Sequence, residues 1–187
     1  MGISPDIYIE DRGLISSVLR GGDEVAFRDL YRRHTPRLLG FVVRLLAGSD
    51  DEAEDVVQET WIRACSCLDR FRGDSAFGTW LHGIGLNVVR ERLRRESRDR
   101  TLPTDDFSAF VTPEVRDDDR IDLERSIRTL PDDQRIVLVL HDIEGMKHHE
   151  IAERLEIPIG TSKCLLSRSR QALRRLLSNV KETEHER

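Results

Sequence analysis

The sequence predicts an all-α protein made of two small helical domains joined by a flexible acidic linker. Apolar residues recur every three or four positions along most of its 187 residues, which is the period of one buried helix face. This periodicity stops between residues 101 and 119, where two prolines and six acidic residues predict a linker. A helix–turn–helix pattern follows near the C-terminus. We therefore assign residues 14–97 to a first domain, 98–119 to the linker and 120–177 to a second domain.

Composition limits the classes of function. The hydrophobic fraction of 38% supports modest aliphatic cores, and the net charge is −5. Proteins that bind DNA alone and without sequence preference are usually basic. Either the contact with DNA is local, or a partner brings this chain to DNA. No signal peptide or long apolar run is visible, so we expect a cytoplasmic protein without membrane insertion.

The first domain begins with two predicted helices. Residues 1–11 lack periodicity and predict a loose tail, and residues 14–19 predict a short helix that ends at Gly21 and Gly22. Asp23 has the side chain of an N-cap for the next helix. Pro36 interrupts the apolar pattern of that second helix and should kink it.

Residues 50–68 predict a third helix with an acid-rich surface. Its first turn is acidic, which favours the helix dipole, but Asp55 and Glu59 lie beyond that turn. Together with Gln58 they form a polar face, and the predicted apolar side carries Val56, Val57, Trp61 and Ile62. Such a face is either an ordinary solvated surface or a docking surface for a basic partner.

Residues 71–78 predict a loop, and residues 79–95 predict a fourth helix with a basic end. The loop contains Phe71 and Phe77, and Trp80 follows at the start of the helix. Exposed rings beside a basic helix suit single-stranded nucleic acid, because bases stack on rings while cations follow the phosphates. The alternative is that these rings close the core, and we expect Trp80 to be mostly buried.

The second domain is predicted to hold four helices. Residues 121–129 form the first, and Pro131 stands near the start of the second. The buried face of this second helix should consist of Ile136, Val137, Val139, Leu140 and Ile143. The third and fourth form the helix–turn–helix within residues 144–177, where Pro158 blocks continuation of the third helix and suits the first turn of the fourth.

The last helix has a face suited to the major groove. Aliphatic side chains fall on one side at about 100° per residue. The opposite side presents polar and basic residues, and no acidic residue occurs from 157 to 180. In the major groove, arginine or lysine reads guanine and glutamine reads adenine. This face consists of Lys163, Cys164, Ser167, Arg168 and Gln171.

Three segments resemble, in order, a bacterial RNA polymerase sigma factor of the extracytoplasmic-function (ECF) group. They read DEAEDVVQETWIRA, LDRFRGDSAFGTWLHGIGLNVVRERLRR and LPDDQRIVLVLHDIEGMKHHEIAERLEIPIGTSK. The resemblance implies a subunit that directs core RNA polymerase to promoters, with no catalytic residue, metal or cofactor. It implies three partners: core polymerase, through the clamp helices of its largest subunit and through its flap; promoter DNA, double-stranded and melted; and an anti-sigma factor.

The resemblance also implies roles for individual residues. Asp55, Gln58 and Glu59 match the segment that docks on the clamp helices. The −10 element would be opened, and a flipped base held, by residues of the loop and the helix after it: Phe71, Arg72, Phe77, Trp80, Asn87, Arg90, Arg94 and Arg95. The −35 element would be read by Lys163, Cys164, Ser167 and Arg168, with Gln171 on the same helix face.

This chain departs from the family pattern at several positions. Gly85 and Leu86 stand where the family often has alanine and arginine. In the last helix, Leu165 stands where an arginine is common, and Cys164 replaces a common serine. Promoter sequence therefore does not transfer from the family to this chain.

Two other functions fit the sequence less well than that of a sigma factor. A stand-alone DNA-binding regulator fits the helix–turn–helix, but not the negative net charge or the acidic third helix. A metal or redox protein would use His141, His148, His149 and Cys164, but the sequence has neither a CxxC pair nor an HExxH motif. Cys65 and Cys67 point about 200° apart on a helix, which disfavours a disulfide between them.

Overall fold

The computed structural model describes residues 5–47, 50–99 and 119–185, and all regular structure within these ranges is helical. This confirms the predicted all-α class. Two compact units divide the chain, one built around the first four α-helices and the other around the last four. The helices are α1 (Pro5–Gly21), α2 (Glu24–Leu45), α3 (Asp50–Ser66), α4 (Phe77–Asp99), α5 (Asp119–Arg128), α6 (Asp132–Leu138), α7 (His148–Leu155) and α8 (Ile159–His185).

Two boundaries of the predicted linker can be compared with the helices. Helix α4 continues to Asp99, two residues into the range 98–119, and α5 begins at Asp119. Residues 100–118, which make up the rest of the predicted linker, lie outside the described residues.

Helix α1 begins at Pro5, so the prediction of a loose tail over residues 1–11 is wrong from residue 5 onward. The reason is a buried carboxylate that the sequence pattern treats as polar surface. Asp11 is only 4% exposed. Its Oδ1 accepts a hydrogen bond from Arg33 Nη1 at 3.0 Å, and its Oδ2 lies 3.0 Å from His34 Nε2. Both partners belong to α2, so this cluster joins α1 to α2.

Helix α2 starts as predicted. Asp23 Oδ1 accepts hydrogen bonds from the backbone N–H groups of Val25, at 3.0 Å, and Ala26, at 3.1 Å, which confirms the N-cap. Helix α2 continues through Pro36 to Leu45.

The departure at Gly85 and Leu86 is explained by close packing of α4 on its neighbours. A Cβ atom on Gly85 would lie 3.1 Å from Leu38 Cδ1 and 3.5 Å from Thr60 Oγ1. Glycine therefore lets α4 approach α2 and α3 at this point. Leu86 is fully buried, so its side chain fills the core where an arginine would have to reach solvent.

The environment of His34 predicts a pH-dependent stability of the first unit. Burial lowers the pKa of His34, although the Asp11 carboxylate opposes this effect. The unfolded chain then binds more protons than the folded chain near the ordinary histidine pKa of about 6.5. The free energy of unfolding should consequently fall as pH is lowered through about 6.5.

Urea denaturation followed by tryptophan fluorescence checks this expectation, because both tryptophans, Trp61 and Trp80, lie in the first unit. His34→Gln keeps a donor for Asp11 and should reduce the pH dependence. His149→Gln, at an exposed histidine of the second unit, is the matched control. If the free energy of unfolding of His34→Gln depends on pH as strongly as that of the parent, His34 is not the group that causes this dependence.

The second unit differs from prediction at the end of its second helix. A π-helical turn spans Val139–Ile143, with the Glu144 N–H donating to Val139 O at 3.0 Å. Residues in such a turn advance less about the axis than the 100° of an α-helix. Ile136, Val137, Val139 and Leu140 are buried as predicted, but the π-helical turn rotates Ile143 away from this face, and Ile143 is 41% exposed.

The helix–turn–helix follows the predicted pattern. Helix α7 ends at Leu155, and Glu156 takes a left-handed conformation with φ 58°. The backbone then turns through Pro158 into α8, whose first turn includes a hydrogen bond from the Thr161 N–H to Pro158 O at 2.9 Å. Ile151, Ala152 and Leu155 are all buried, as the periodicity of the sequence predicts.

Candidate functional site

The predicted docking face on α3 is exposed and includes one apolar residue. Asp55, Gln58 and Glu59 are all exposed. Ile62 is 70% exposed beside them, so its prediction as part of the apolar side is wrong. These four residues, named here the α3 surface, line one side of a shallow groove whose other side includes Val88 of α4.

Arg63 joins this groove's two helices. Its Nη2 donates to Glu59 Oε1 at 2.8 Å and to Glu91 Oε2 at 2.7 Å, and its Nη1 donates to Glu91 Oε1 at 3.0 Å. The hydrogen bonds that Arg63 donates to Glu91 lower the pKa of Glu91, and those that it donates to Glu91 and Glu59 raise the pKa of Arg63. Arg63 and Glu91 therefore stay charged at neutral pH, and the hydrogen bond from Arg63 holds Glu59 in a defined position. The i, i+4 spacing of Glu59 and Arg63 is the sequence signal for half of this arrangement.

Phe77 lies inside an aromatic cluster. This burial argues against the predicted contact between Phe77 and DNA. Its side chain is 2% exposed. Its ring centroid lies 5.0 Å from that of His34, 5.5 Å from Phe71 and 5.6 Å from Trp80. No base reaches this ring unless the cluster opens. Phe77 is also the first residue of α4, so the helix begins two residues earlier than predicted.

Phe71 and Trp80 remain available at the edge of this cluster. Both are half-buried, and their ring centroids lie 5.4 Å apart. Trp80 is mostly buried, as expected, and keeps partial access to solvent. Phe77 packs against both rings, which therefore have a fixed position and still keep partial access to solvent.

One stripe of α4 carries three predicted contact residues. Trp80, Asn87 and Arg94 are seven residues apart, so they fall within about 40° of each other around the helix and span about 20 Å along it. Asn87 and Arg94 are exposed. Arg95 is also exposed and lies 3.9 Å from Glu91, whereas Arg90 is half-buried. A ring, an amide and a cation thus follow one another along one face.

The predicted reading face of α8 is exposed. All five of its residues are accessible: Lys163, Cys164, Ser167, Arg168 and Gln171. Leu165 is half-buried, at the edge of the core. On the opposite side Ser169 is buried, with its Oγ 2.7 Å from Leu165 O and 2.9 Å from Gln134 O. That hydroxyl anchors α8 to α6 and fixes which face points outward.

A second set of contacts holds the first half of α8, from Ser162 to Arg170. Arg170 Nε donates to Asp142 Oδ2 at 3.0 Å, and this hydrogen bonding lowers the pKa of Asp142. His148 Nδ1 lies 3.0 Å from Ser162 Oγ, and the rings of His141 and His148 are 4.6 Å apart. These contacts fix the π-helical turn and α7 against α8. From the sequence alone, both histidines are candidates only for metal ligands.

The described residues contain no group of three or more histidine, cysteine, aspartate or glutamate side chains arranged to hold a metal ion. The three cysteines are free, with Cys65 and Cys164 exposed. Within the same residues, no helix combines the length and apolar character that crossing a membrane requires.

Comparison with known proteins decides the family. The Sigma-70 region 2 model matches residues 30–99, and the Sigma-70 region 4 model matches residues 120–173. The chain is 34% identical over 185 residues to the RNA polymerase sigma-H factor of Pseudomonas aeruginosa, covering 90% of this chain and 94% of that protein. It is 31% identical over 182 residues to the ECF RNA polymerase sigma-E factor of Escherichia coli, and the match covers 88% of this chain and 93% of that protein.

The chain belongs to the ECF sigma factors. As a sigma factor it binds core RNA polymerase and directs transcription initiation at promoters, and it is not an enzyme.

Solved structures of sigma factors resemble this sigma factor over most of its length. RpoE of Bartonella quintana, in complex with the anti-sigma factor NepR, has a TM-score of 0.62 and 28% identity, and covers 81% of this chain and 96% of its own. CnrH, in complex with the cytosolic domain of CnrY, has a TM-score of 0.59 and 28% identity. The match covers 91% of this chain and 98% of CnrH.

Proposed function

We propose that this sigma factor divides its work among three surfaces. The α3 surface docks on the clamp helices of the largest polymerase subunit. The stripe of Trp80, Asn87 and Arg94 on α4, with Phe71 beside it, captures the melted −10 strand. The exposed face of α8 reads the −35 element. Because core polymerase works in the cytoplasm, the sigma factor acts there.

The stripe on α4 is the observation that carries this proposal. A stand-alone regulator needs only the exposed face of α8 to recognise a duplex. Half-buried rings next to an exposed amide and an exposed arginine are suited instead to an unpaired strand, since rings stack with bases, amides read base edges and arginines bind phosphates. Strand capture of this kind belongs to initiation.

Transcription with purified components tests the proposal. The full-length chain is added to core RNA polymerase, and run-off transcripts are sequenced from genomic fragments. We expect defined start sites that require both components. A chain that binds promoter fragments tightly and specifically without polymerase, and that yields no transcripts with it, would support the stand-alone regulator instead.

We also propose regulation by an anti-sigma factor. Both sigma factors described above were solved in complexes, RpoE with NepR and CnrH with CnrY. In this chain the exposed Ile62 and its acidic neighbours form a surface that a single partner would cover. An inhibitor that binds there would compete with polymerase, and adding core polymerase in excess should displace it.

Arg168→Ala should weaken binding to the −35 element by about 1–3 kcal/mol, because a bidentate arginine contact with guanine contributes about that much discrimination. Arg168 is exposed on the reading face of α8, so folding should not change. Affinity is measured for the polymerase-bound chain on duplexes with the parent and an altered −35 sequence. An equal loss on both duplexes would indicate a phosphate contact, and no loss on either would exclude this face.

A further inference from the structure

The basic side chain of Arg12 lies against the loop that precedes α4. Helix α1 packs on the 3₁₀ turn Leu68–Arg70, which leads directly into this loop. Gly73, in the loop, has φ +78°, and a Cβ atom built on it would lie 3.3 Å from Arg12 Cζ and 3.4 Å from Arg12 Nε and Nη2. The guanidinium thus covers a glycine at which the backbone turns, between Arg72 and the start of α4.

Among the described residues, Arg12 lacks the ion pair or hydrogen bond that two other arginines near it make. Arg33 pairs with Glu10 and Asp11, at 3.0 Å each, and Arg20 Nε donates to Ser16 O at 3.2 Å. Arg12 is exposed, and among the residues that the structure describes it makes neither an ion pair nor a hydrogen bond. Within the described residues its positive charge is therefore not paired. The glycine that it covers follows Arg72 and the half-buried Phe71 in the loop.

We propose that Arg12 binds a backbone phosphate of the melted promoter strand as that strand passes the loop of residues 71–76. This inference rests on the proposed capture of that strand by α4 and the loop. Guanidinium groups bind phosphate oxygens in a bidentate manner, and cations follow the phosphates wherever rings stack with bases. The contact lies outside residues 30–99, which match the region 2 model, and so is a feature of this chain's first helix.

Gly73 contributes to the same site through its lack of a side chain. A larger residue at this position would push against the Arg12 guanidinium and would be strained at positive φ. Because glycine has no side chain, the Arg12 guanidinium can lie close to the backbone of the loop. Arg12 is exposed, so a phosphate can reach its guanidinium from the solvent side. An arginine that served only to cover the glycine would not need its charge.

The experiment uses the full-length chain bound to core polymerase and a fluorescent promoter with a pre-melted bubble. Arg12→Ala and Arg12→Gln are compared with Arg20→Ala, which removes an exposed arginine of the same helix that bonds only within α1. For single strands, each neutralised phosphate contributes a salt slope of about 0.7. From about 50 to about 200 mM salt, the parent should therefore lose about 2.6-fold more affinity than either Arg12 variant. Arg20→Ala should behave like the parent.

Neutral methylphosphonate linkages locate the contact. One linkage at a time is replaced along the melted strand, and affinities are measured for the parent and for Arg12→Ala. At one position, the replacement should weaken the parent and leave Arg12→Ala unchanged, because the variant has already lost that contact. Additive losses at every position would overturn the proposal, as would a weakened Arg12→Ala whose salt slope equals that of the parent, since Arg12 would then only position the loop.

Failure of this inference is distinguishable from failure of the function on which it rests. If the parent opens promoters and Arg12→Ala binds the bubble with the parent's affinity at every salt concentration, only the role of Arg12 is wrong. If the parent itself neither opens promoters nor prefers the bubble to a duplex, strand capture is wrong and the inference falls with it.

Discussion

Asp55→Arg should lower the affinity for core RNA polymerase by about ten- to a hundred-fold and leave the fold intact. A reversed charge within a complementary interface places like charges together, which costs several kcal/mol when the pair is close. Asp55 is exposed, so the free energy of unfolding should change by no more than about 0.5 kcal/mol. Binding is measured by titrating labelled chain with core polymerase, and folding by circular dichroism.

The matched control is Glu54→Arg. It makes the same change in charge at a neighbouring exposed residue of α3, but Glu54 lies outside the groove beside the α3 surface. If both variants lose affinity equally, the effect is one of net charge and the docking surface is wrong. If Asp55→Arg loses its helical signal, Asp55 has a structural role instead.

The α3 surface shows how far a helical pattern can be interpreted. Asp55 and Ile62 are seven residues apart, so they share one helix face. The residue type of Ile62 predicts that it lies on the apolar side of α3, whereas its position in the sequence puts it on the same helix face as Asp55. Isoleucine is usually buried, and an exposed one beside polar neighbours marks a surface for contact. Local spacing therefore places all four residues of the α3 surface on one side of the helix, whereas residue type alone misplaces Ile62.

Long-range contacts explain the other differences. The burial of Asp11 depends on Arg33 and His34, more than twenty residues away, and no local pattern predicts that a carboxylate will be enclosed. Phe77 is buried by rings from three other segments, including His34 and Trp61. The exposed face of α8 is predictable from local spacing, because the aliphatic side chains recur on the opposite side of the same helix. It was therefore predicted in full.

Asn87→Ala should reduce open-complex formation by about ten- to a hundred-fold while sparing polymerase docking and duplex binding through α8. Flipping a base out of the duplex costs a few kcal/mol, and the protein must offset this with contacts made only to the extruded base. A side-chain amide that bonds a base edge supplies about 1–3 kcal/mol of this. Asn87 is exposed midway along the α4 stripe, between Trp80 and Arg94.

The measurement is permanganate reactivity of unpaired thymines on a promoter, with Ser97→Ala as the control at an exposed residue of the same helix. The defect of Asn87→Ala should shrink on a template with a pre-melted bubble, because the cost of opening has then been removed. The defect of Arg94→Ala should instead depend on salt, since a contact with a phosphate releases counterions.

These two responses separate base capture from strand binding on one helix face. An amide that holds a flipped base acts on the opening equilibrium, so its loss depends on the base and on whether the strand is already unpaired. A guanidinium acts along the whole strand, so its loss follows ionic strength. If Asn87→Ala opens promoters as well as the parent, Asn87 is only an exposed surface amide. In that case, the departure from the family pattern at the buried Gly85 and Leu86 goes with a different site of base capture. The half-buried rings of Phe71 and Trp80, beside the loop, are then the remaining candidates among the described residues.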